Sequence, residues 1–252
     1  MKIIISPAKK LDFDTKSSCL EHSTAHFLRD SQQLINTIKK FSEEDIAQLM
    51  SISPKLAKLN VERFNHWKIP FKSSEVKQAI FAFQGDVYKS MGPENFDIKE
   101  LNFAQSNIRI LSGLYGILKP FDLIMPYRLE MGTKLNNSRG KNLYEFWGDI
   151  LTKTLKNEMT ENEILVNLAS DEYSKSIDLK VFNDRVVHPV FKDTKNGDLK
   201  VISFFAKKAR GYMCKFIVEN KLTYAEQLLD FNLAGYKYSE KESKKNFPTF
   251  IR

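Results

Sequence analysis

The chain opens with MKIIISPAKK, residues 1–10, and the reading of this stretch sets the class of the protein. One lysine and four apolar or small positions precede Pro7. That is too short for the apolar core of a secretory signal. Three consecutive β-branched residues bounded by Ser6 and Pro7 read instead as a first β-strand over residues 2–6. The strand runs into Ser6, Lys9, Lys10 and Asp12. In α/β sheets, ligands bind beyond the carboxyl ends of strands.

Working outward, β-branched or aromatic runs predict further strands at 108–112, 164–170, 185–191 and 199–205. Helical spacing of apolar residues predicts helices over 26–41, 43–50, 54–67, 75–91, 144–157 and 206–220. Asn196-Gly197 separates two of the strands and signals a hairpin. Helices and strands alternate only in part, so the expected class is α/β (mixed α+β), a mixed sheet flanked by helices. No Gly/Ser/Pro-rich linker divides the chain. One domain over residues 1–252 is expected, with the first strand and the 199–205 strand in the same core. The charged tail at 240–246 reads as loosely held.

The 252 residues are enough for a sizeable core. Hydrophobic residues make up 42% and charged residues 28%, the balance of a soluble globular protein. No apolar run reaches the roughly 18–20 residues of a spanning helix, so no membrane association is expected. Two cysteines, Cys19 and Cys214, make no disulfide framework. A cytoplasmic monomer is the expectation. Net charge is +8, from 39 basic and 31 acidic residues. That excess suits an anionic partner such as nucleic acid, and equally a mere solubility charge.

Two basic features give the charge a place. In QLMSISPKLAKLN, residues 48–60, a short apolar segment turns over Ser-Ile-Ser and restarts as a helix. Ser53 suits the N-cap and Pro54 the first helical position. Ala57, Val61 and Phe64 form one stripe, with Leu56 and Leu59 beside it. Amides at a helix N-terminus favour an anion, and Lys55 adds a charge in the same turn. The plainer alternative is a helical hairpin packed into the core. The second feature is the helix over 206–220. At 100° per residue, Ala209, Tyr212, Met213, Phe216 and Ile217 share one side. Lys207, Lys208, Gly211 and Lys215 share the other, with Arg210 at its margin. A glycine on the basic face would let a phosphate come near the backbone. The alternative is a solvated amphipathic helix with a packing glycine.

A second strand runs into Asn167, Ser170, Asp171, Glu172 and Tyr173. Lysines and carboxylates converging from the two strand ends would make a catalytic or nucleotide site. Lys9 or Lys10 with Asn167 and Glu172 are the catalytic candidates. Helix capping by Ser170, with Asp171 and Glu172 on the helix dipole, explains the same residues structurally. The central block RILSGLYGILKPFDLIMPYRLEMGTKL, residues 109–135, is apolar enough to be buried. Arg128 and Glu130 fall on one side of it if extended and would pair. Neither nucleotide-binding glycine fingerprint occurs. His22 and His26 have i, i+4 spacing and Cys19 lies close by, but no zinc, iron–sulfur or haem signature is present. No cofactor and no metal are expected.

Taken together, SPAKKLDF (6–13), FQGDVY (83–88), the central block, LYEFWGD (143–149), NLASDEYSK (167–175), AKKARGYM (206–213) and FNLAGYKY (231–238) resemble the bacterial peroxide stress protein YaaA family. The resemblance runs in order over nearly the whole chain. It implies a cytoplasmic protein made under hydrogen peroxide stress that limits damage by keeping unincorporated iron low. It also implies DNA binding through a helix-hairpin-helix element and a basic cleft on a single-domain α/β fold. Here that element matches Ser51, Ser53 and Lys55, although the motif usually carries glycine where the two serines stand. The resemblance brings no catalytic residues.

Two functions of different class follow. A DNA-binding stress protein would use the hairpin and the 207–215 basic face, and a positive groove lined by both would mark it. An enzyme on a nucleotide or nucleic acid would show a pocket joining residues 6–12 with 167–173. Direct iron binding by scattered carboxylates and histidines is the weakest reading.

Overall fold

β1 (Lys2–Ile5) is the middle strand of the main sheet. The computed structural model describes residues 1–15, 17 and 21–252. After β1 come α1 (Leu28–Ile38), α2 (Glu43–Met50) and α3 (Pro54–His66). Short elements follow: β2 (Lys77–Gln78), α4 (Ala79–Ala82) and α5 (Asp86–Met91). Then α6 (Ile98–Asn107) leads directly into β3 (Ile108–Ser112), β4 (Gly116–Leu118) and β5 (Leu123–Ile124). Helices α7 (Leu143–Trp147) and α8 (Ile150–Asn157) precede β6 (Leu165–Leu168) and α9 (Asp171–Ser174). The chain ends through β7 (Val186–Val187), β8 (Val190–Lys195), β9 (Asp198–Lys200), α10 (Ser203–Glu219), β10 (Lys237–Tyr238) and β11 (Thr249–Ile251).

The main sheet has the order β4-β3-β1-β6-β7. β1 runs parallel to β3 and β6, β7 runs parallel to β6, and β4 is antiparallel. Ile3, Ile4 and Ile5 are all fully buried. A strand covered on both faces shows no alternation, and each isoleucine contributes roughly 1.5–3 kcal/mol by leaving water. β3 is buried along its whole length, Arg109 included. Arg109 is tolerated there because it pairs with Glu158 and donates to the carbonyls of Gln105 and Ile108. From β1 the chain goes to β3 on one side, and later β6 goes to β7 on the other. The crevice between the carboxyl ends of β1 and β6 is therefore the switch point of the sheet.

A second sheet, β10-β11-β8-β9, and the β2–β5 pair complete the strands. Phe191 and Phe250 of the second sheet belong to the same continuous buried cluster as the β1 isoleucines. The mixed sheet flanked by helices is the architecture the sequence predicts. No helix among the described residues is long and apolar enough to cross a membrane.

Several element expectations need correction. The 75–91 helix is broken, because the backbone at 82–84 bonds to residues 10–12: Asp12 N donates to Ala82 O and Gln84 N to Lys10 O, both at 2.8 Å. The 144–157 helix splits at Gly148 (φ 48°). The 185–191 strand splits between two sheets at Pro189, which has no N–H for a ladder. Of the 199–205 segment only residues 199 and 200 are strand, the end of β9 at the edge of the second sheet, and α10 starts at Ser203. The shared core is thus formed by β1 and β8, not by the 199–205 segment. The Asn196-Gly197 turn forms as expected, with both residues at positive φ. The 240–246 tail is pinned rather than loose: Glu242 pairs with Lys192 and Lys245 with Asp184, each at 2.8 Å. It feeds β11, whose Phe250 is fully buried.

Gly211 does not lie on an open basic face. It is buried where α10 crosses α5, and a Cβ there would come within 2.2 Å of the Val87 carbonyl oxygen. A glycine on an open face would gain about 1 kcal/mol on replacement by alanine. Against backbone, overpacking costs up to about 3 kcal/mol, so Gly211→Ala is expected to lower stability by about 2 kcal/mol. Urea unfolding of the two proteins measures the sign, and a more stable variant would restore the open-face reading.

Candidate functional site

The switch-point crevice opens into a cleft of about 380 Å³. Ser6, just past β1, and Ser170, just past β6, close its floor: Ser170 N donates to Ser6 Oγ at 2.9 Å, and the two hydroxyl oxygens lie 3.2 Å apart. Tyr88 OH donates to the Ser6 carbonyl at 3.0 Å and ties in α5. The segment carrying Arg128 and Glu130 lies across the end of β3. It sits so close that a Cβ at Gly113 would come within 2.3 Å of the Leu129 carbonyl oxygen. The buried Tyr127 anchors the same segment, with its hydroxyl 2.7 Å from Ser112 Oγ. From the opposite side, α10 brings Lys207 and Arg210, and α5 brings Asp86 and Lys89.

Six basic residues line the cleft: Lys9, Lys10, Lys89, Arg128, Lys207 and Arg210. Against them stand Asp86, Glu130 and Glu172. Glu130 is bracketed, by Lys9 Nζ at 2.6 Å and by Arg128 NH2 at 3.0 Å. Glu172 accepts a hydrogen bond from Gly132 N at 2.9 Å, and Tyr144 OH donates to its carbonyl. Among the described residues, Lys10, Lys89, Lys207 and Arg210 have no carboxylate within ion-pair distance. Burial pulls the Arg210 guanidinium below its ordinary value, opposed by the charge of Asp171. Burial pushes the Tyr173 hydroxyl far above its usual range, helped by the charges of Tyr127, Glu172 and Glu130. The cleft is therefore a place of excess positive charge with partly desolvated donors, suited to an anion carrying several oxygens.

The structure brings together much of what the sequence singled out, and rejects part of it. Lys9, Lys10, Glu172, Lys207 and Arg210 meet in one cleft. Asn167 does not line it. Its side chain bonds Ala169 N at 3.0 Å and lies 3.3 Å from His188 Nδ1. Asp12 also turns away, accepting from Asp14 N and Thr15 N and pairing with Lys77. Those bonds, the Thr15 amide foremost, hold its carboxyl at about 2. On α10, Lys208 lies over the Phe204 ring and Lys215 pairs with Glu219, so neither lines the cleft. Arg128 and Glu130 pair as expected, but their place in the site was not predicted. Nor was that of FQGDVY, although its Gly85 between polar residues marked a close backbone approach: a Cβ there would meet Ala8 Cβ at 2.9 Å.

The hairpin residues Ser51, Ser53 and Lys55 do not line the cleft. Helices α2 and α3 pack against each other. Ser51 caps α2 in the left-handed region, at φ 50° and ψ 53°. That conformation is glycine's preference, and a serine holds it at a cost of roughly 1–2 kcal/mol. Ser53 accepts from Leu56 N as the N-cap of α3, with Pro54 following. α3 buries Ala57, Asn60 and Phe64, while Leu56 and Leu59 are each 39% exposed. The turn is therefore a surface feature as well as a packed hairpin.

Among the described residues, no three His, Cys, Asp or Glu side chains gather to hold a metal ion. Cys19, one member of the histidine–cysteine grouping, lies outside the described residues. The profile of the peroxide stress protein YaaA family matches residues 1–242. The chain belongs to that family. The UPF0246 proteins of Shewanella sp. (strain W3-18-1), Shewanella putrefaciens (strain CN-32 / ATCC BAA-453) and Colwellia psychrerythraea (strain 34H / ATCC BAA-681) are each 51% identical to it over 254 aligned positions. Each match covers 100% of this chain and 99% of the relative. The family's name places this chain in the response to peroxide.

That role directs attention to thiols. Cys214 is fully buried in α10, and burial pushes its thiol up to about 12. The thiolate is the reactive species, so Cys214 is expected to resist alkylation by iodoacetamide at pH 8 in the folded protein and to react on unfolding in urea. Rapid modification of native protein at Cys214, read by mass spectrometry, would contradict this environment.

Proposed function

We propose that this member of the family binds DNA by its phosphate backbone and so helps limit iron-driven oxidative damage under peroxide stress. The observation that carries the reading is the cleft at the carboxyl ends of β1 and β6, where exposed Lys10, Lys89 and Lys207 stand without carboxylate partners among the described residues. Backbone contacts position a duplex and carry no base information. The α2–α3 turn serves as a helix-hairpin-helix-like second contact, through Lys55 in the first turn of α3. Duplex affinity is expected to fall steeply with salt, with a log–log slope of roughly −4 to −5 if about five phosphates are neutralised. Lys10→Glu with Lys207→Glu should weaken duplexes of unrelated sequence alike, by about tenfold or more, and should cost peroxide protection in cells. Lys55→Glu should weaken binding to a lesser degree. Fluorescence anisotropy at two salt concentrations reads all three, and unchanged affinity in the folded double variant would end the cleft reading.

A second reading has its own observation. The cleft joins residues 6–10 with residues 170–173 in a cavity of small-molecule size, as an enzyme acting on a nucleotide or nucleic acid requires. Glu172 is then the reactive carboxylate and Lys10 its cationic partner. Glu172→Gln keeps an acceptor for Gly132 N. On this reading it abolishes peroxide protection while duplex affinity stays intact, and full protection in that variant would count against an enzyme.

A further inference from the structure

One residue lining the cleft carries a buried donor left over. Arg128 Nε is buried and has no hydrogen-bond partner among the described residues, although the NH2 of the same guanidinium donates to Glu130 at 3.0 Å. Buried polar groups in folded proteins are almost always paired, and an unpaired one in a cleft calls for an explanation. The guanidinium has little freedom to find a partner elsewhere. Its backbone is clamped between the buried Tyr127 and Leu129, and the carbonyl of Leu129 rests against Gly113. Arg210 lines the same cleft, partly desolvated and without an ion-pair partner among the described residues. Two guanidinium forks with free N–H groups match the oxygens of a phosphate. Beside them the wall is apolar, formed by Ala8, Val87, Leu129 and Leu168. A cavity of about 380 Å³ falls in the range of small-ligand sites.

We propose that the cleft seats one nucleotide by its phosphate monoester, with Arg128 Nε–H and the Arg210 guanidinium as donors and the sugar and base against the apolar wall. The inference rests on the reading of this cleft as a nucleic-acid site and separates two roles within it. The exposed lysines at the rim contact the backbone of a long strand. The two arginines take a terminal dianion, supplied by a strand end or by a free nucleotide.

Isothermal titration calorimetry on the full-length protein tests the seat. The probes are 2′-deoxyadenosine 5′-monophosphate, deoxyadenosine, inorganic phosphate, and a single-stranded oligonucleotide with and without a 5′-phosphate. The monophosphate is expected to bind at least tenfold more tightly than the nucleoside or inorganic phosphate. Arg128→Lys keeps the charge but loses the Nε–H, and Arg210→Gln removes the second fork. Each should lower monophosphate affinity tenfold or more while duplex affinity changes less than threefold. Tighter binding of the 5′-phosphorylated oligonucleotide assigns the seat to strand ends. Equal binding of the two oligonucleotides, with tight monophosphate binding, assigns it to free nucleotides. A monophosphate no tighter than the nucleoside, or unaffected by both substitutions, would overturn the seat. If duplex binding survives in that case, the backbone reading stands alone; if duplex binding is also absent from the wild type, both fall.

Discussion

The contact of α10 with α5 at Gly211 is the constraint on which the cleft depends. Only a residue without a Cβ lets α10 come this close to the Val87 carbonyl. That approach sets Lys207 and Arg210, one turn apart on α10, opposite the ends of β1 and β6. A mid-helix glycine costs about 1 kcal/mol relative to alanine, and here packing offsets that cost. The opposite wall is set in the same way, by the seat of Leu129 and Glu130 on Gly113. Two close backbone approaches, far apart in sequence, therefore fix the width of a single cleft.

Electrostatics explains why this cleft stays cationic without closing on itself. Six basic side chains facing one another would repel strongly if all were bare. Glu130 relieves part of this by sitting between Lys9 and Arg128, and the Glu172 carboxylate is held by the Gly132 amide. Lys9 and Arg128 are thereby oriented, while the rim lysines Lys10, Lys89 and Lys207 keep their charge without an ion-pair partner among the described residues. The carboxylates serve as positioning groups, and the surplus charge is the part of the site a polyanion would meet.

Elements whose stability is local were legible in the sequence. The isoleucine run of β1, the strand over 108–112, the capped helices α2 and α3, and the Asn-Gly hairpin all follow from propensity, capping or turn chemistry. Elements decided by distant partners were not. The 75–91 helix is interrupted because residues 82–84 pair with residues 10–12, a bond no local pattern encodes. Gly211 and Lys207 looked alike on a helical projection, yet one faces α5 and the other the cleft, since the width of the buried stripe depends on what packs against it. The basic helix and both strand-end clusters were recognised singly. Their convergence is a property of topology, set by β1 and β6 being neighbours, and spacing along the chain carries no trace of it.

The α2–α3 turn and the cleft are separate cationic features, and the proposed binding mode gains from that separation. Each alone offers few phosphate contacts, and a single exposed lysine contributes little once salt screens it. Under the proposed mode one duplex touches both, the second contact is intramolecular once the first has formed, and affinity would rise by a large factor without any new interaction. The left-handed Ser51 fits this logic. A serine held where glycine is favoured costs stability, and it fixes the angle at which Ser53 and Lys55 leave α2. A rigid turn preserves the spacing between hairpin and cleft, and that spacing is what a duplex of fixed phosphate geometry would read.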